Sequence, residues 1–139
     1  MVLAQEFYLY DYFWDVKVFY VVDNIPLDYV SKELEKVGCR GSDLDKALSV
    51  LDPKEENRGV TFSNVDDRES IIIIGETSCP AEFQHTYDHE KIHLAMHIAK
   101  SFKIDPYSER LAYLVGDIGL AMFPIAKKFL CEHCRKEIE

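Results

Sequence analysis

The stretch His85-Thr-Tyr-Asp-His-Glu-Lys-Ile-His-Leu-Ala-Met-His97 places four histidines at intervals of four residues. At about 100° per residue, this spacing puts all four imidazoles on one side of an α-helix. The other side is a broad apolar arc, interrupted by Lys91, with the members Phe83, Tyr87, Ile92, Leu94, Ala95, Ile98, Ala99 and Phe102. The pattern predicts a helix over about Pro80 to Phe102, with one histidine face and one face against a core.

An H-E-x-x-H motif lies within this helix, at His89-Glu-Lys-Ile-His93. Two histidines four residues apart lie about one helical turn apart, so both imidazoles can bind one zinc ion. The glutamate between them, Glu90, can act as general base on a zinc-bound water. The motif therefore predicts a zinc site with His89 and His93 as ligands and Glu90 as the catalytic residue.

A catalytic zinc ion usually has three protein ligands, so a third must come from elsewhere in the chain. Glu109 is our first choice, because it follows His93 across a short loop and opens the next predicted helix. Two antiparallel helices joined by a short loop bring that first turn back towards the first helix. Asp117 is the second choice, followed by His97 or His85. Glu109 also suits a helix N-terminus for purely electrostatic reasons.

Peptide hydrolysis also needs a group that stabilises the negative charge developing on the carbonyl oxygen. The candidates are four side chains near the motif, between which the sequence does not choose: Tyr87, Tyr107, Tyr113 and His97.

The first half of the chain predicts a strand followed by two helices. Met1 to Glu6 is expected to be a loose start. Val16 to Val22 is expected to be a buried strand, with the tyrosine-rich residues before it as an irregular lead-in or an edge strand. Helices are predicted over Pro26–Val37 and from Ser42 to the stop at Asp52-Pro53, and a charged loop over Lys54–Arg58.

The second half predicts a hairpin and two helices. Gly59–Ser63 and Glu69–Gly75 read as its two strands, and the four consecutive isoleucines of the second indicate a buried position. The last helix is predicted from Ser108 to about Cys131, with a kink or break at Pro124. We therefore expect one α+β domain over residues 1–139, with a small sheet packed against the apolar face of the histidine helix.

Composition narrows the classes of protein that fit. The net charge of −9 disfavours nucleic-acid binding, since no basic patch offsets it. The first fifteen residues carry three acids and no Lys or Arg, unlike a signal peptide, and no apolar run reaches the length of a membrane span. We therefore expect a cytoplasmic protein with reduced thiols. The single C-x-x-C at Cys131 and Cys134 matches no zinc-ribbon spacing, although a redox or structural metal role is the alternative.

Residues from Ile71 to Phe123 resemble small zincin-like proteins of bacteriophages and prophages. The resemblance rests on three pieces, namely the H-E-x-x-H, the connector Ile104-Asp-Pro, and Glu109-Arg-Leu-Ala-Tyr-Leu-Val-Gly116. It implies a minimal zincin-like, gluzincin-like fold with His89, His93 and Glu109 as zinc ligands and Glu90 as base. In zincins a strand before the motif helix lies along the cleft and can pair with an extended peptide. Either hairpin strand could take this part here.

These observations predict a zinc-dependent metallopeptidase, or a hydrolase of similar chemistry, acting on a peptide or protein. The alternative is a non-catalytic metal-binding or interaction module, for instance a phage accessory protein that binds a host protein. The small size of the chain favours this alternative, because little of it is left to form substrate pockets.

Overall fold

The sheet of this α+β fold has four strands among residues 1–51 and 58–138, which the computed structural model describes. The strands are β1 (Val2–Leu9), β2 (Trp14–Val21), β3 (Gly59–Asn64) and β4 (Glu69–Ile74). Their order in the sheet is β1-β2-β4-β3. The sheet is mixed, because β2 and β4 are parallel whereas the β1–β2 and β3–β4 pairs are antiparallel. The hairpin of β3 and β4 confirms the prediction from the sequence, while most of the loop predicted over 54–58 lies outside the described residues.

The N-terminal strand β1 corrects the prediction of a loose start. Its alternate side chains Leu3, Phe7 and Leu9 pack on the core, as a half-buried edge strand requires. The fourth core-facing position is Gln5, whose amide donates to the Ala121 carbonyl at 2.7 Å and accepts from the Tyr20 hydroxyl at 2.8 Å. Because the polar Gln5 lies in the middle of the pattern, hydrophobic alternation alone does not predict β1.

Two helices, α1 (Leu27–Lys36) and α2 (Ser42–Val50), cover one face of the sheet, which we name the α1/α2 face. The isoleucines of β4 alternate between the two faces because successive side chains of a strand point in opposite directions. Ile71 and Ile73 pack towards α1 and α2, together with Phe19, Val21, Val30, Leu34, Val37, Cys39, Ala47 and Leu51.

The opposite face, which we name the α3 face, packs against α3 (Pro80–Phe102) and α4 (Glu109–Ala126). Ile72 and Ile74 belong to this core, and helix α3 has the bounds predicted from the sequence. Helix α3 begins with Pro80 in its first turn and ends at Lys103 in the left-handed conformation. The sheet therefore packs on the apolar side of α3, and its histidine side faces outwards.

The C-terminal helix is shorter than predicted. Pro124 lies inside the last turns of α4, which ends at Ala126, and a 3-10 turn follows over Lys127–Phe129. Proline lacks the N–H that would bond to the carbonyl of Leu120, which weakens the helix around it, and α4 continues past Pro124 only to Ala126. A short helix α5 (Glu132–Glu137) completes the five α-helices of residues 1–51 and 58–138. In that part of the chain, no helix is long and apolar enough to cross a membrane.

Candidate metal and catalytic site

The imidazoles of His89 and His93 converge on the outer side of α3. Their Nε2 atoms are 3.0 Å apart, and both side chains are exposed. Two nitrogen ligands of one tetrahedral zinc ion, each at about 2.0–2.1 Å from the metal, lie about 3.3 Å from each other. The two atoms are within hydrogen-bond distance of each other, and their spacing is close to that of two ligands on one zinc ion.

Glu90 turns away from solvent and lies against the edge strand β3. Its side chain is 1% exposed, and its Oε1 accepts a hydrogen bond from Thr61 Oγ1 at 2.8 Å. The other oxygen, Oε2, is buried and has no partner among the described residues. Burial raises the pKa of this carboxyl, opposed by the Thr61 hydrogen bond and by the nearby His93 and His89.

A glycine on β3 makes room for Glu90. A Cβ atom at Gly59 would lie 2.6 Å from Glu90 Oε2 and 2.8 Å from Thr86 Cγ2, closer than real contacts allow. Glycine is thus required here for a close approach between strand and helix rather than for an unusual backbone angle. The sequence singled out Gly59 only as the start of a strand.

His97 is half-buried and is held by β3 as well. Its Nδ1 lies 2.7 Å from Ser63 Oγ, which lies 2.6 Å from Ser70 Oγ on β4. Burial lowers the pKa of His97, and the neighbouring His93 and Lys100 lower it further. Glu90 and His97 therefore both contact side chains of β3, at Thr61 and Ser63.

The acids predicted as third ligand, Glu109 and Asp117, both lie on α4. The Tyr87 hydroxyl donates to the Gly119 carbonyl at 2.9 Å, which fixes how the antiparallel α3 and α4 align. Glu109 is exposed and lies ten residues before Gly119, so this alignment places it level with the C-terminal turns of α3, beyond His93. Asp117 lines a groove with residues of the β1–β2 turn instead. No cluster of three or more His, Cys, Asp or Glu side chains able to hold a metal ion occurs among residues 1–51 and 58–138.

The outer histidines take different positions. The His85 ring is exposed and stacks beside that of His89, with ring centroids 6.4 Å apart. The His97 ring centroid is also 6.4 Å from that of His93, but Ser63 engages its Nδ1. Among the four histidines of α3, only His89 and His93 thus have ring nitrogens within hydrogen-bond distance of each other.

The C-x-x-C pair stands apart from this site, at the start of α5. Cys131 is exposed, and all four cysteines are free thiols. Hydrogen bonds from the backbone and thiol of Cys134, and from the backbone of His133, lower the pKa of Cys131. The same thiol hydrogen bond raises the pKa of Cys134. The pair belongs to a helix of six residues and gathers no further metal-binding side chain among those described.

No protein-family model, curated protein or solved structure matches this chain. The resemblance to small zincin-like proteins of phages stays a prediction, and function has to be inferred from the chemistry of the site.

Proposed function

We propose that the chain is a zinc-dependent hydrolase of peptide bonds with a minimal zincin-like fold. The observation that carries the proposal is the convergence of the His89 and His93 Nε2 atoms, 3.0 Å apart, next to the buried carboxylate of Glu90. His89 and His93 would hold the metal. When bound, zinc acts as a Lewis acid that polarises a carbonyl group and makes water easier to deprotonate.

Glu90 supplies the general base in this proposal. Its carboxylate accepts a proton from the attacking water and delivers that proton to the amine that leaves. Thr61 holds Oε1, whereas Oε2 has no partner among the described residues, so Oε2 is the oxygen available for the proton. This step requires Oε2 to turn towards the histidines, because in the structure it lies buried against Gly59. A buried oxygen without a partner costs about 1–3 kcal/mol, which a purely structural glutamate would not need to bear.

The substrate class follows from the position of β3. In the described part of the chain β3 pairs only with β4, whereas β4 lies inside the sheet between β2 and β3. Of the two hairpin strands, β3 is therefore the one with an open edge. An extended peptide can add to such an edge through main-chain hydrogen bonds, a few ångströms from Glu90 and His97. This supports a peptide or protein segment as substrate.

A non-catalytic metal-binding or interaction module is the second candidate. The absence of a third ligand from the described metal-binding side chains favours it, because two histidines alone bind zinc without forming a catalytic centre. Glu109 remains the predicted third ligand. The zinc content of Glu109→Ala tests that assignment separately, since full occupancy in this variant would remove Glu109 from the site.

Zinc content and peptidase activity together test the proposal. The wild type, reloaded with zinc after gentle purification, is expected to hold about one zinc per chain and to cleave members of a quenched-fluorescent peptide library. Glu90→Gln should keep the zinc and lose about 100-fold to 10,000-fold in kcat. His93→Ala should lose the zinc. Gln84→Ala, an exposed change on the same helix, is the control and should alter neither.

Two results would contradict the proposal of a zinc-dependent hydrolase. A wild-type chain that holds no zinc after reloading removes the metal site altogether. A chain that holds zinc but cleaves no peptide supports the interaction module, as does a biological activity that Glu90→Gln leaves intact.

A further inference from the structure

A row of hydrogen bonds leads from the core of the sheet to His97. Trp14 Nε1 lies 2.8 Å from Ser70 Oγ, Ser70 Oγ lies 2.6 Å from Ser63 Oγ, and Ser63 Oγ lies 2.7 Å from His97 Nδ1. Trp14 is fully buried and Ser70 is 1% exposed. No water competes for these groups at the inner end of the row, so its hydrogen bonds have to be satisfied within the protein.

The direction of these hydrogen bonds follows from what each group can do. An indole N–H only donates, so Ser70 Oγ accepts from Trp14. The Ser70 hydroxyl then has one acceptor within reach, Ser63 Oγ, and Ser70 makes no other side-chain hydrogen bond. If Ser63 donated to Ser70 instead, the buried Ser70 hydroxyl would have no acceptor. The hydrogen of the Ser63 hydroxyl then has one acceptor among the described residues, His97 Nδ1, so we assign Ser63 as the donor of this hydrogen bond.

This direction fixes the tautomer of His97. Since Nδ1 accepts a hydrogen bond, the ring proton of the neutral imidazole is on Nε2. No described residue makes a hydrogen bond with this Nε2–H group. His97 lies one turn beyond His93 on the same side of α3, so a fixed and free N–H donor lies next to the histidine pair.

We propose that His97 is a catalytic residue whose Nε2–H donates a hydrogen bond to the substrate carbonyl oxygen as negative charge develops on it. The role rests on the proposed function, because it requires hydrolysis at the His89–His93 site. A donor held in place before the reaction stabilises such a charge without reorganising. The hydrogen bond from Ser63 requires the neutral ring, because Nδ1 accepts only when it carries no proton.

The other candidates from the sequence do not meet these conditions. The Tyr87 hydroxyl is buried and already donates to the Gly119 carbonyl. Tyr107 and Tyr113 are 96% and 70% exposed, and no hydrogen bond fixes either hydroxyl within the described structure. His97 alone among the four combines a fixed ring with an available donor.

Nitrogen-15 NMR of the histidine rings tests the tautomer without any turnover. In metal-free protein at neutral pH, we expect the His97 proton on Nε2 and an Nδ1 resonance typical of a hydrogen-bond acceptor. Ser63→Ala should move this Nδ1 resonance towards the value of a free imidazole nitrogen. A proton on Nδ1 in the wild type would overturn the proposal.

Kinetics of zinc-loaded variants on the quenched-fluorescent peptide library test the catalytic role. His97→Ala should lower kcat about 100-fold or more while KM and zinc content stay close to wild type. His97→Gln, which places an amide N–H near the position of Nε2, should restore part of the rate. Met96→Ala, an exposed neighbour on α3, is the control.

The outcomes separate the two proposals. If the zinc-loaded wild type cleaves no peptide, the proposed function fails and the role of His97 fails with it. If the wild type cleaves peptides and Glu90→Gln does not, full activity in His97→Ala overturns the role of His97 alone. Loss of zinc in His97→Ala also overturns it, because His97 would then be a ligand.

Discussion

Strand β3 contributes Val60 and Phe62 to the α1/α2 face of the sheet, and Gly59, Thr61 and Ser63 to the α3 face. The first face is closed by an apolar cluster, with Glu33 at its margin paired to Lys36 at 3.0 Å. The second also buries Ser70, Thr86 and Glu90. Burying polar groups costs free energy unless each is hydrogen-bonded. The first face is therefore built mainly for stability, whereas the second buries polar groups at a cost in stability, which fits the proposed role of this face.

Shortening an isoleucine on the α1/α2 face should have the largest effect on stability. Ile73→Ala removes a fully buried side chain and should lower the free energy of unfolding by about 2–5 kcal/mol, through lost burial and the cavity left behind. Zinc affinity of the folded protein should not change. Denaturant unfolding and competition for zinc with a chelator measure the two quantities.

The matched variant is Ile72→Ala, which makes the same change on the α3 face. It should lose similar stability and also weaken zinc binding, because α3 packs on this residue. A selective loss of zinc affinity in Ile73→Ala would contradict the division between the faces.

Filling the space at Gly59 should have the next largest effect. In Gly59→Ala the added methyl group meets Glu90 and Thr86, and such overpacking lowers the free energy of unfolding by about 1–3 kcal/mol. Gly116→Ala is the control, since no atom lies within 4 Å of the added Cβ. Because glycine within a helix is less stable than alanine, Gly116→Ala should instead raise the free energy of unfolding by about 0.5–1 kcal/mol. Equal effects of the two changes would show that β3 does not restrict α3 at this point.

Neutralising Glu90 should raise the free energy of unfolding, by less than Gly59→Ala lowers it. Glu90→Gln removes a buried charge with one unpaired oxygen and should raise the free energy of unfolding of metal-free protein by about 1 kcal/mol near pH 8. Glu109→Gln, at an exposed acid in the first turn of α4, should change it by less than about 0.5 kcal/mol.

The gain in Glu90→Gln should depend on pH. Burial raises the pKa of Glu90 in the folded state, so the folded protein binds this proton more tightly than the unfolded chain does. The contribution of Glu90 to stability is then present below about pH 4.3, its usual pKa, and is lost as pH rises through the folded pKa. The gain should therefore grow as pH rises from this usual pKa through the raised folded pKa. A gain that stays constant or shrinks would contradict the burial of a carboxylate here.

Local periodicity explains which elements the sequence could predict. The spacing of apolar residues and Pro80 located α3 to the residue, and the isoleucine run located β4. The sequence predicted β2 and, as one alternative, an edge strand before it, but the first residues of β1 and the turn between the two strands were missed for two physical reasons. Gln5 interrupts the apolar side of β1. The turn between β1 and β2 places Phe13 at φ 51, although it contains no glycine or asparagine, the residues that usually mark a turn with positive φ.

The site was predictable only where it lies on one helix. His89, Glu90 and His93 follow from helical spacing, whereas Thr61, Ser63 and Ser70 enter through strand order and register, which are set by pairings distant in the sequence. The alternation of small or polar residues at 59, 61 and 63 was the signal, and it was read only as a half-buried strand. The prediction of Glu109 as third ligand depends on how two helices pack together, and the periodicity of the sequence does not specify that packing.

The alternation along β3 also acts as a check on folding. A slip of one residue in its pairing with β4 would turn Val60 and Phe62 towards Glu90, and Thr61 and Ser63 into the apolar cluster. The same slip would thus ruin the packing on one side and the hydrogen bonds to Glu90 and His97 on the other. A misregistered chain would lose both the packing and these hydrogen bonds, so a stable misfolded form that keeps the arrangement around Glu90 and His97 is not open to this protein.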